Sequence, residues 1–391
     1  MKKVYILSAK RTPIGSFGGA LASFSAIDLG VIATKSAIEA SKVKVEDISE
    51  VYFGNVCSAN LGQAPAKQVA LKSGLGHNVP CTTINKVCSS GLKTVMLAAQ
   101  SIQLGVNDLV LAGGTESMSN IPHYLPAMRF GQKYGEAKVL DGLQVDGLMD
   151  AYDHIAMGTY ADATAVKYAI SREEQDRFAI QSYQRAIEAT KNGSFTNEIA
   201  PISIPQRKGD PILMTSDEEI NQVFFDKIPS LRPAFTKDGT VTAANASTIN
   251  DGACAIILAS EDYVKAHGLT PLCEIVSFAD ASQEPQWFTT APTIAAPKAI
   301  KIAGLTTENI DLFEVNEAFA VVTLAFNQTL KLKEDIVNVN GGAVAIGHPL
   351  GASGARILTT LIHALHTNNE ELGCAAICNG GGGASAMVVK R

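Results

Sequence analysis

The stretch that decides the fold is "CSSGLKTVMLAAQSIQLG" (Cys88–Gly105), followed almost at once by "DLVLAGGTES" (Asp108–Ser117). In the first segment apolar residues recur at steps of three and four, which predicts a helix covered on one side. The second segment is a short apolar run that ends on glycines, a pattern typical of a buried strand. A helix that leads directly into a buried strand indicates a layered α/β protein.

The same plan returns near the other end of the chain. There, "GASGARILTTLIHALH" (Gly351–His366) has the helical periodicity, and "GCAAICNGGGGAS" (Gly373–Ser385) is a buried strand closing on glycines. Upstream of each pair, "EDISEVYFGN" (Glu46–Asn55) and "ENIDLFEVNEAFA" (Glu308–Ala320) are polar turns that lead into strands. We infer an internal duplication of about 120 residues per copy.

A segment of different texture separates the two copies. Its sequence "SREEQDRFAIQSYQRAIEATKNG" predicts one helix, with Ser171 as N-cap, Glu174 completing a capping box and Gly193 as the stop. The rest is typical of long loops. These loops could form a lobe that covers a flexible ligand and its phosphates, or they could be solvated loops whose methionines belong to the core; the sequence leaves both interpretations open. The predicted parts are an N-terminal half (residues 1–118 with about 249–270), an inserted loop domain (119–248) and a C-terminal half (271–391).

The composition is that of a soluble α/β enzyme, with 46% hydrophobic and 18% charged residues among 391. A net charge of −6 without a long basic run argues against nucleic acid as a partner. No apolar run approaches the roughly 18 residues that a membrane span needs. The seven cysteines are scattered, without a CxxC pair or zinc-ligand spacing. Because no signal sequence opens the chain, we expect free thiols and a cytoplasmic protein.

Cys88 stands directly before the first predicted helix. A helix N-terminus carries a partial positive charge that favours a thiolate and lowers a thiol pKa, which would make Cys88 a nucleophile. Gly91 and the intervening small serines leave room for a substrate. A small side chain buried at a strand end explains the same pattern, so this motif alone leaves both interpretations open.

The second copy favours chemistry. His348 lies on the glycine-flanked turn "GGAVAIGHPLGASGAR", at the entrance equivalent to that of Cys88. Cys378 ends a buried strand, and Gly380 to Gly383 follow it with backbone N–H groups that nothing shields from an oxyanion. Asn316 ends another strand, where an amide can orient a water or a histidine. Two cysteines, a histidine and an asparagine in these places indicate acyl transfer through sulfur.

These residues carry a resemblance to the thiolase family, and within it to the short-chain acetoacetyl-CoA thiolases of mitochondrial and bacterial type. The resemblance implies two βαβαβαββ halves in five α-β-α-β-α layers, with a loop domain over the active site. It also implies reversible Claisen condensation of two acetyl-CoA molecules to acetoacetyl-CoA and coenzyme A. The enzyme would be a homotetramer and would need no cofactor beyond the coenzyme A thioester. The motifs that carry it are "RTPIGSFGG", "NKVCSSG", "GGTESMS", "VTAANASTINDGA", "FTTAP", "EVNEAFA", "NVNGGAVAIGHPLGASGAR" and "CNGGGGASAM".

The resemblance also implies a role for each polar residue of these motifs. Cys88 would be the nucleophile that becomes acetylated, and His348 would activate it and stabilise the enolate oxygen with a water held by Asn316. Cys378 would be the acid and base that moves the α-proton. The N–H groups of Cys88 and Gly380 would bind the oxyanion of the acetyl-enzyme.

Further positions follow from the same resemblance. The positions that match substrate contacts are Ser247, Met157, Phe319, Lys227 and Ala246. The positions that match a potassium site of the mitochondrial type are Tyr183, Ala243, Ala244, Ala246 and Val344.

Three departures from the family pattern bear on function. Ser89 stands where glycine or alanine is common, and Ala156 precedes Met157 where many relatives have histidine. The segment Asn221–Lys227 lacks an arginine and an acidic residue that contact the nucleotide in the mitochondrial type. Two other functions stay open: a broader-chain 3-ketoacyl-CoA thiolase of fatty-acid β-oxidation, and a non-catalytic relative that binds coenzyme A or lipid.

Overall fold

The computed structural model describes residues 2–391, which contain fourteen strands and ten α-helices. The strands are β1 (Val4–Arg11), β2 (Gly15–Ser16), β3 (Glu50–Gly54), β4 (Cys81–Ile84), β5 (Leu109–Ser117), β6 (His123–Tyr124), β7 (Leu140–Asp141), β8 (Ile202–Ile204), β9 (Ile212–Met214), β10 (Asn250–Ser260), β11 (Cys273–Ser282), β12 (Leu312–Val315), β13 (Leu372–Asn379) and β14 (Gly383–Lys390). The helices are α1 (Ala26–Ser41), α2 (Pro65–Lys72), α3 (Ser90–Gln103), α4 (Met157–Lys167), α5 (Arg172–Lys191), α6 (Glu261–His267), α7 (Pro292–Ile302), α8 (Ala320–Leu330), α9 (Ala343–Ile346) and α10 (Leu350–Asn368).

The strand pairing confirms the predicted duplication. In one half, β3 and β5 are parallel and the order continues through antiparallel β10 to β1. In the other half, β12 and β13 are parallel and the order continues through antiparallel β14 to β11. The two halves meet where β1 pairs with β11 at only two positions, Tyr5 with Glu274 and Ile6 with Cys273.

Alternate residues of one strand face different layers. In β10, Cys254, Ile256 and Leu258 belong to a core cluster shared with α3 and α10, while Ala255 and Ile257 face a second cluster with α1 and α2. A third cluster lies between α7, α8 and the other side of the C-terminal half. Since side chains alternate across a strand, each half-sheet separates two apolar layers, and the sequence of layers is α-β-α-β-α as expected.

The two central helices, α3 and α10, cross at backbone contact. A Cβ atom at Gly91 would lie 2.7 Å from the backbone nitrogen of Ala355, and one at Gly354 would lie 2.3 Å from that of Leu92. Only glycine permits such an approach, because any side chain would separate the two helices. The first turns of α3 and α10 are therefore neighbours, and Cys88 and His348 each lie two residues before one of them.

The insertion contains more helix than its sequence predicts. Helix α5 has the expected capping box, in which the Ser171 hydroxyl accepts from the Glu174 N–H, and Gly193 follows its end with φ of 80°. Helix α4 has no side-chain cap, and its mixture of small residues gave no amphipathic signal for the prediction to use. Within residues 2–391, no helix combines the length and the apolarity that a membrane crossing requires.

Candidate active site

A cavity of about 540 Å³ opens between the two halves and the insertion. Cys88 and Gly380 lie on its wall with His348, while Met118, Phe288 and Phe319 make much of the remaining surface apolar. A mostly apolar cavity with a few convergent polar groups is the usual form of a small-molecule site.

A strained turn presents Cys88 to this cavity. Val87, directly before it, has φ of 47°, a left-handed conformation that a β-branched residue rarely adopts. Ser90 stabilises the turn, because its hydroxyl accepts from the Lys86 N–H at 2.8 Å and donates to the Val87 carbonyl at 2.6 Å. The thiol of Cys88 is half-buried at the entrance to α3.

Burial raises the pKa of the Cys88 thiol to about 12, although the N–H groups of Gly380 and of Cys88 itself point at the sulfur and favour the thiolate. The expectation that the helix N-terminus lowers this pKa is therefore wrong for the unliganded site. Desolvation outweighs the helix dipole because the sulfur lies in an apolar cavity rather than at an exposed helix end. Cys88 at rest is therefore a neutral thiol, which would need a base in order to act as a nucleophile.

His348, on the same cavity, is the candidate for that base. Its backbone N–H donates to Asn250, and its Nδ1 lies 2.6 Å from the Ser353 hydroxyl. That hydroxyl donates its proton to the Pro349 carbonyl at 2.8 Å, so Nδ1 must carry the imidazole proton. Nε2 then has a free lone pair, and it makes no hydrogen bond within residues 2–391. Burial lowers the pKa of His348 to about 3, so the imidazole is neutral.

Cys378 and Asn316 lie deeper than Cys88. Cys378 ends β13 with its side chain fully buried, and burial raises its pKa, with a smaller contribution from the nearby Cys88. Asn316 follows β12, and neither atom of its buried carboxamide has a hydrogen-bond partner within residues 2–391. Buried amides are nearly always paired in folded proteins, so this side chain is available to a ligand or solvent.

The predicted substrate contacts divide into two groups. Met157, Phe319, Ala246 and Ser247 line the cavity, and the Ser247 hydroxyl donates to the Ala318 carbonyl at 2.9 Å. Lys227 is not among the lining residues; its ammonium group lies over the ring of Phe224, 4.5 Å from the centroid.

The residues predicted to hold potassium include oxygen atoms that are free to accept a cation. The carbonyl groups of Ala243, Ala244 and Ala246 accept no hydrogen bond from other residues of the range 2–391. Tyr183 and Val344 are buried in one cluster, and the pKa of the Tyr183 hydroxyl is raised by burial and then by the carboxylate of Glu219. Unpaired oxygens beside a carboxylate are the donors that hard cations prefer. Among the described residues no group of three or more His, Cys, Asp or Glu side chains could hold a metal.

Four supporting residues escaped the sequence prediction. Ser353 and Asn250 hold His348, and Asn379 contacts the Cys88 turn through Ser89. Glu116 accepts from the N–H groups of Val56 and Gly351 through Oε2, and from Cys57 and Asn55 through Oε1. All four belong to quoted motifs, but sequence spacing alone does not state which backbone groups they meet.

The fold and the site together are typical of an enzyme class that transfers acyl groups: a cysteine thiol and a neutral histidine line one cavity, and a second buried cysteine lies nearby. Comparison with known proteins agrees with this class. The thiolase N-terminal domain family matches residues 4–262, and the thiolase C-terminal domain family matches residues 269–391. The chain therefore belongs to the thiolase family.

Individual relatives are similar over nearly their full length. A probable acetyl-CoA acetyltransferase of Dictyostelium discoideum is 53% identical and is matched over 100% of this chain and 94% of its own. A cytosolic acetyl-CoA acetyltransferase of Gibberella zeae is 52% identical over 99% of this chain and 98% of its own. The crystal structure of a thiolase from Ascaris suum in complex with coenzyme A superposes with a TM-score of 0.95, at 49% identity and 100% coverage of both chains.

Proposed function

We propose that the protein is an acetyl-CoA C-acetyltransferase, which joins two acetyl-CoA molecules into acetoacetyl-CoA and free coenzyme A and also runs the reverse thiolysis. The observation that carries the proposal is the placement of Cys88, His348 and Gly380 on one cavity. The names of the similar proteins support acetyl transfer over the broader-chain β-oxidation reaction.

The first half-reaction follows from the protonation states. Because Cys88 is a thiol and His348 is neutral, Nε2 takes the thiol proton as the sulfur attacks the acetyl carbonyl carbon. The oxyanion that forms accepts hydrogen bonds from the N–H groups of Cys88 and Gly380. The carbon–sulfur bond to coenzyme A then breaks and leaves an acetyl thioester on Cys88.

The second half-reaction requires Cys378 to act as an acid before it acts as a base. Burial keeps Cys378 protonated at rest, so it first gives its proton to the departing coenzyme A thiolate. The resulting Cys378 thiolate removes an α-proton from the second acetyl-CoA. The carbanion attacks the acetyl carbonyl, Cys88 leaves as a thiolate, and the imidazolium of His348 returns its proton to that sulfur. Asn316, whose buried carboxamide has no partner among residues 2–391, would orient a water near the enolate oxygen.

Other parts of the proposal concern binding and assembly. Ser247, Met157, Phe319 and Ala246 would contact the pantetheine and acyl group, since they line the cavity. A potassium ion at the alanine carbonyls would hold this loop in place beside the substrate. Lys227 would reach a nucleotide only by leaving the ring of Phe224.

We further propose a cytoplasmic homotetramer, with the halves and insertion divided at about residues 118, 248 and 270. The location is supported by the cytosolic relative of Gibberella zeae, and the division by the place of β10 between β5 and β1.

The test is turnover of purified protein with acetyl-CoA, followed by the appearance of acetoacetyl-CoA and free coenzyme A. Wild-type protein is expected to acquire one acetyl group on Cys88, located by peptide mass spectrometry. A Cys88→Ala variant that keeps steady turnover would refute the mechanism. A series of 3-ketoacyl-CoA lengths decides between this function and the broader-chain alternative, which would show undiminished thiolysis of long chains.

A further inference from the structure

Ser89 occupies the N-cap position of α3 but does not cap the helix. Serine at an N-cap usually accepts a hydrogen bond from a backbone N–H of the first turn. Here the side chain makes no capping bond, although it is fully buried. Its hydroxyl instead lies 2.9 Å from Asn379 Oδ1 and 3.3 Å from the Ile377 carbonyl, both in the opposite half of the duplicated fold.

Asn379 continues this contact to Gly380. Its Nδ2 donates to the Gly380 carbonyl at 2.8 Å, and since a carbonyl only accepts, this bond fixes which amide atom faces Ser89. Oδ1 must therefore accept from the Ser89 hydroxyl. The nearly buried Asn379 amide therefore has a hydrogen-bond partner at each end: Ser89, beside Cys88, at Oδ1 and Gly380 at Nδ2.

Gly383 makes room for this arrangement. A Cβ atom at Gly383 would lie 2.5 Å from Asn379 Nδ2 and 2.7 Å from its Oδ1, so any other residue there would displace the amide. Gly381 and Gly382, with φ of 82° and 85°, form the turn that brings Gly383 back beside Asn379. One role of the glycine run is thus to leave space for the Asn379 side chain.

We propose that Ser89 and Asn379 form a positioning pair that holds the Gly380 N–H at the Cys88 sulfur and so sets the oxyanion site of the acetyl-enzyme. The inference rests on the proposed function, because the step that it affects is acetylation of Cys88. Neither residue touches the reacting atoms. The pair acts by fixing the turn of one half against the glycine loop of the other.

The experiment measures the rate of Cys88 acetylation in a single turnover, by rapid quenching and intact-protein mass spectrometry over a range of acetyl-CoA concentrations. In Ser89→Ala the rate constant at saturation is expected to fall roughly tenfold, the order expected for a lost positioning hydrogen bond. The half-saturating acetyl-CoA concentration should stay within about twofold, because the cavity walls that bind the substrate are unchanged.

The matched control is Ser277→Ala, which also removes a buried hydroxyl. That hydroxyl donates to the Ala299 carbonyl at 2.6 Å, and Ser277 does not line the cavity. It should lower the thermal unfolding midpoint as Ser89→Ala does and leave the acetylation rate unchanged. Equal slowing in both variants would overturn the proposal, since the effect would then be general destabilisation.

A double-mutant cycle supplies the second readout. If the two residues act as one unit, Ser89→Ala with Asn379→Ala is no slower than the slower single variant. Multiplicative slowing would overturn the pairing. Asn379→Asp keeps the acceptor for Ser89 and removes the donor to Gly380, so it should fold and be slow; a wild-type rate in this variant would also overturn the proposal. Failure of the wild-type enzyme to become acetylated would refute the proposed function instead.

Discussion

Nδ1 of His348 lies 2.6 Å from the hydroxyl of Ser353, and that hydroxyl donates to the carbonyl of Pro349. The chain of two bonds leaves His348 only one useful tautomer. Ser353 lies one helical turn into α10, so the helix that places the histidine also fixes its proton.

Ser353→Ala removes the acceptor that holds the Nδ1 proton. Both tautomers of His348 then become accessible, and kcat is expected to fall by about tenfold to a hundredfold, as when a histidine loses the partner that fixes its tautomer. Steady-state kinetics measure the loss. Ser8→Ala, which removes a buried hydroxyl bonded to the Ala37 carbonyl, serves as the control and should keep its activity. Full activity in Ser353→Ala would show that Ser353 does not set the tautomer.

The raised pKa of Cys88 predicts how its alkylation depends on pH. Iodoacetamide reacts with the thiolate, so the rate in the free enzyme should climb with pH without levelling off below pH 10, given a pKa of about 12. Peptide mass spectrometry of Cys88 after timed alkylation measures this profile. A plateau near pH 7 would instead reveal a resting thiolate stabilised by the helix, contrary to the structure.

Glu116→Gln tests the carboxylate beneath the site. Oε1 and Oε2 each accept two hydrogen bonds, and the amide of glutamine would aim N–H groups at N–H donors on one side. We expect about 2–3 kcal/mol lower stability and reduced activity, because Gly351 lies in the first turn of the helix that follows His348. Thermal unfolding measures the first effect. Glu371→Gln, at an exposed ion pair with Lys390, should change stability by less than about 1 kcal/mol. Equal stability of both variants would contradict the role of Glu116.

Gly91→Ala tests the crossing of the central helices. The added methyl group would lie 2.7 Å from a backbone atom of Ala355, which cannot move aside as a side chain can. Overpacking of this kind costs about 1–3 kcal/mol, seen as a lower unfolding midpoint. Gly380→Ala is the contrast, because its Cβ would meet only Met157 and Val87 at 3.6 Å. Gly380→Ala should fold normally and lose activity, since the added methyl group stands in the cavity. A normal unfolding midpoint in Gly91→Ala would refute the close crossing of the two helices.

Much of the fold could be predicted from periodicity. The helix at Cys88–Gly105 and its copy at Gly351–His366 became α3 and α10, because each buries one apolar stripe and hydrophobic spacing records that burial directly. Helix α4 was missed because small residues bury no such stripe. Its position depends on packing against α8 and neighbouring loops, which the local pattern does not contain.

The site was predictable where glycines marked it. Cys88 and His348 stood out because glycine-rich loops cost conformational entropy on folding and contribute no side chains to the core, so that a functional reason for them is expected. The pKa of Cys88 was predicted in the wrong direction, since the degree of burial depends on Phe288, Phe319 and other side chains distant in sequence. Ser353, Asn379 and Glu116 likewise acquire their roles only through partners that the folded chain brings to them.

The crossing of α3 and α10 at Gly91 and Gly354 has a consequence for how the enzyme tolerates change. The approach of the two helices that follow Cys88 and His348 is set mainly by polypeptide backbone in contact with polypeptide backbone. Repacking the outer layers, around α1 and α7, can therefore alter thermal stability while the spacing of the two central helices stays the same. We expect substitutions in these outer layers to change the unfolding midpoint more than the turnover rate.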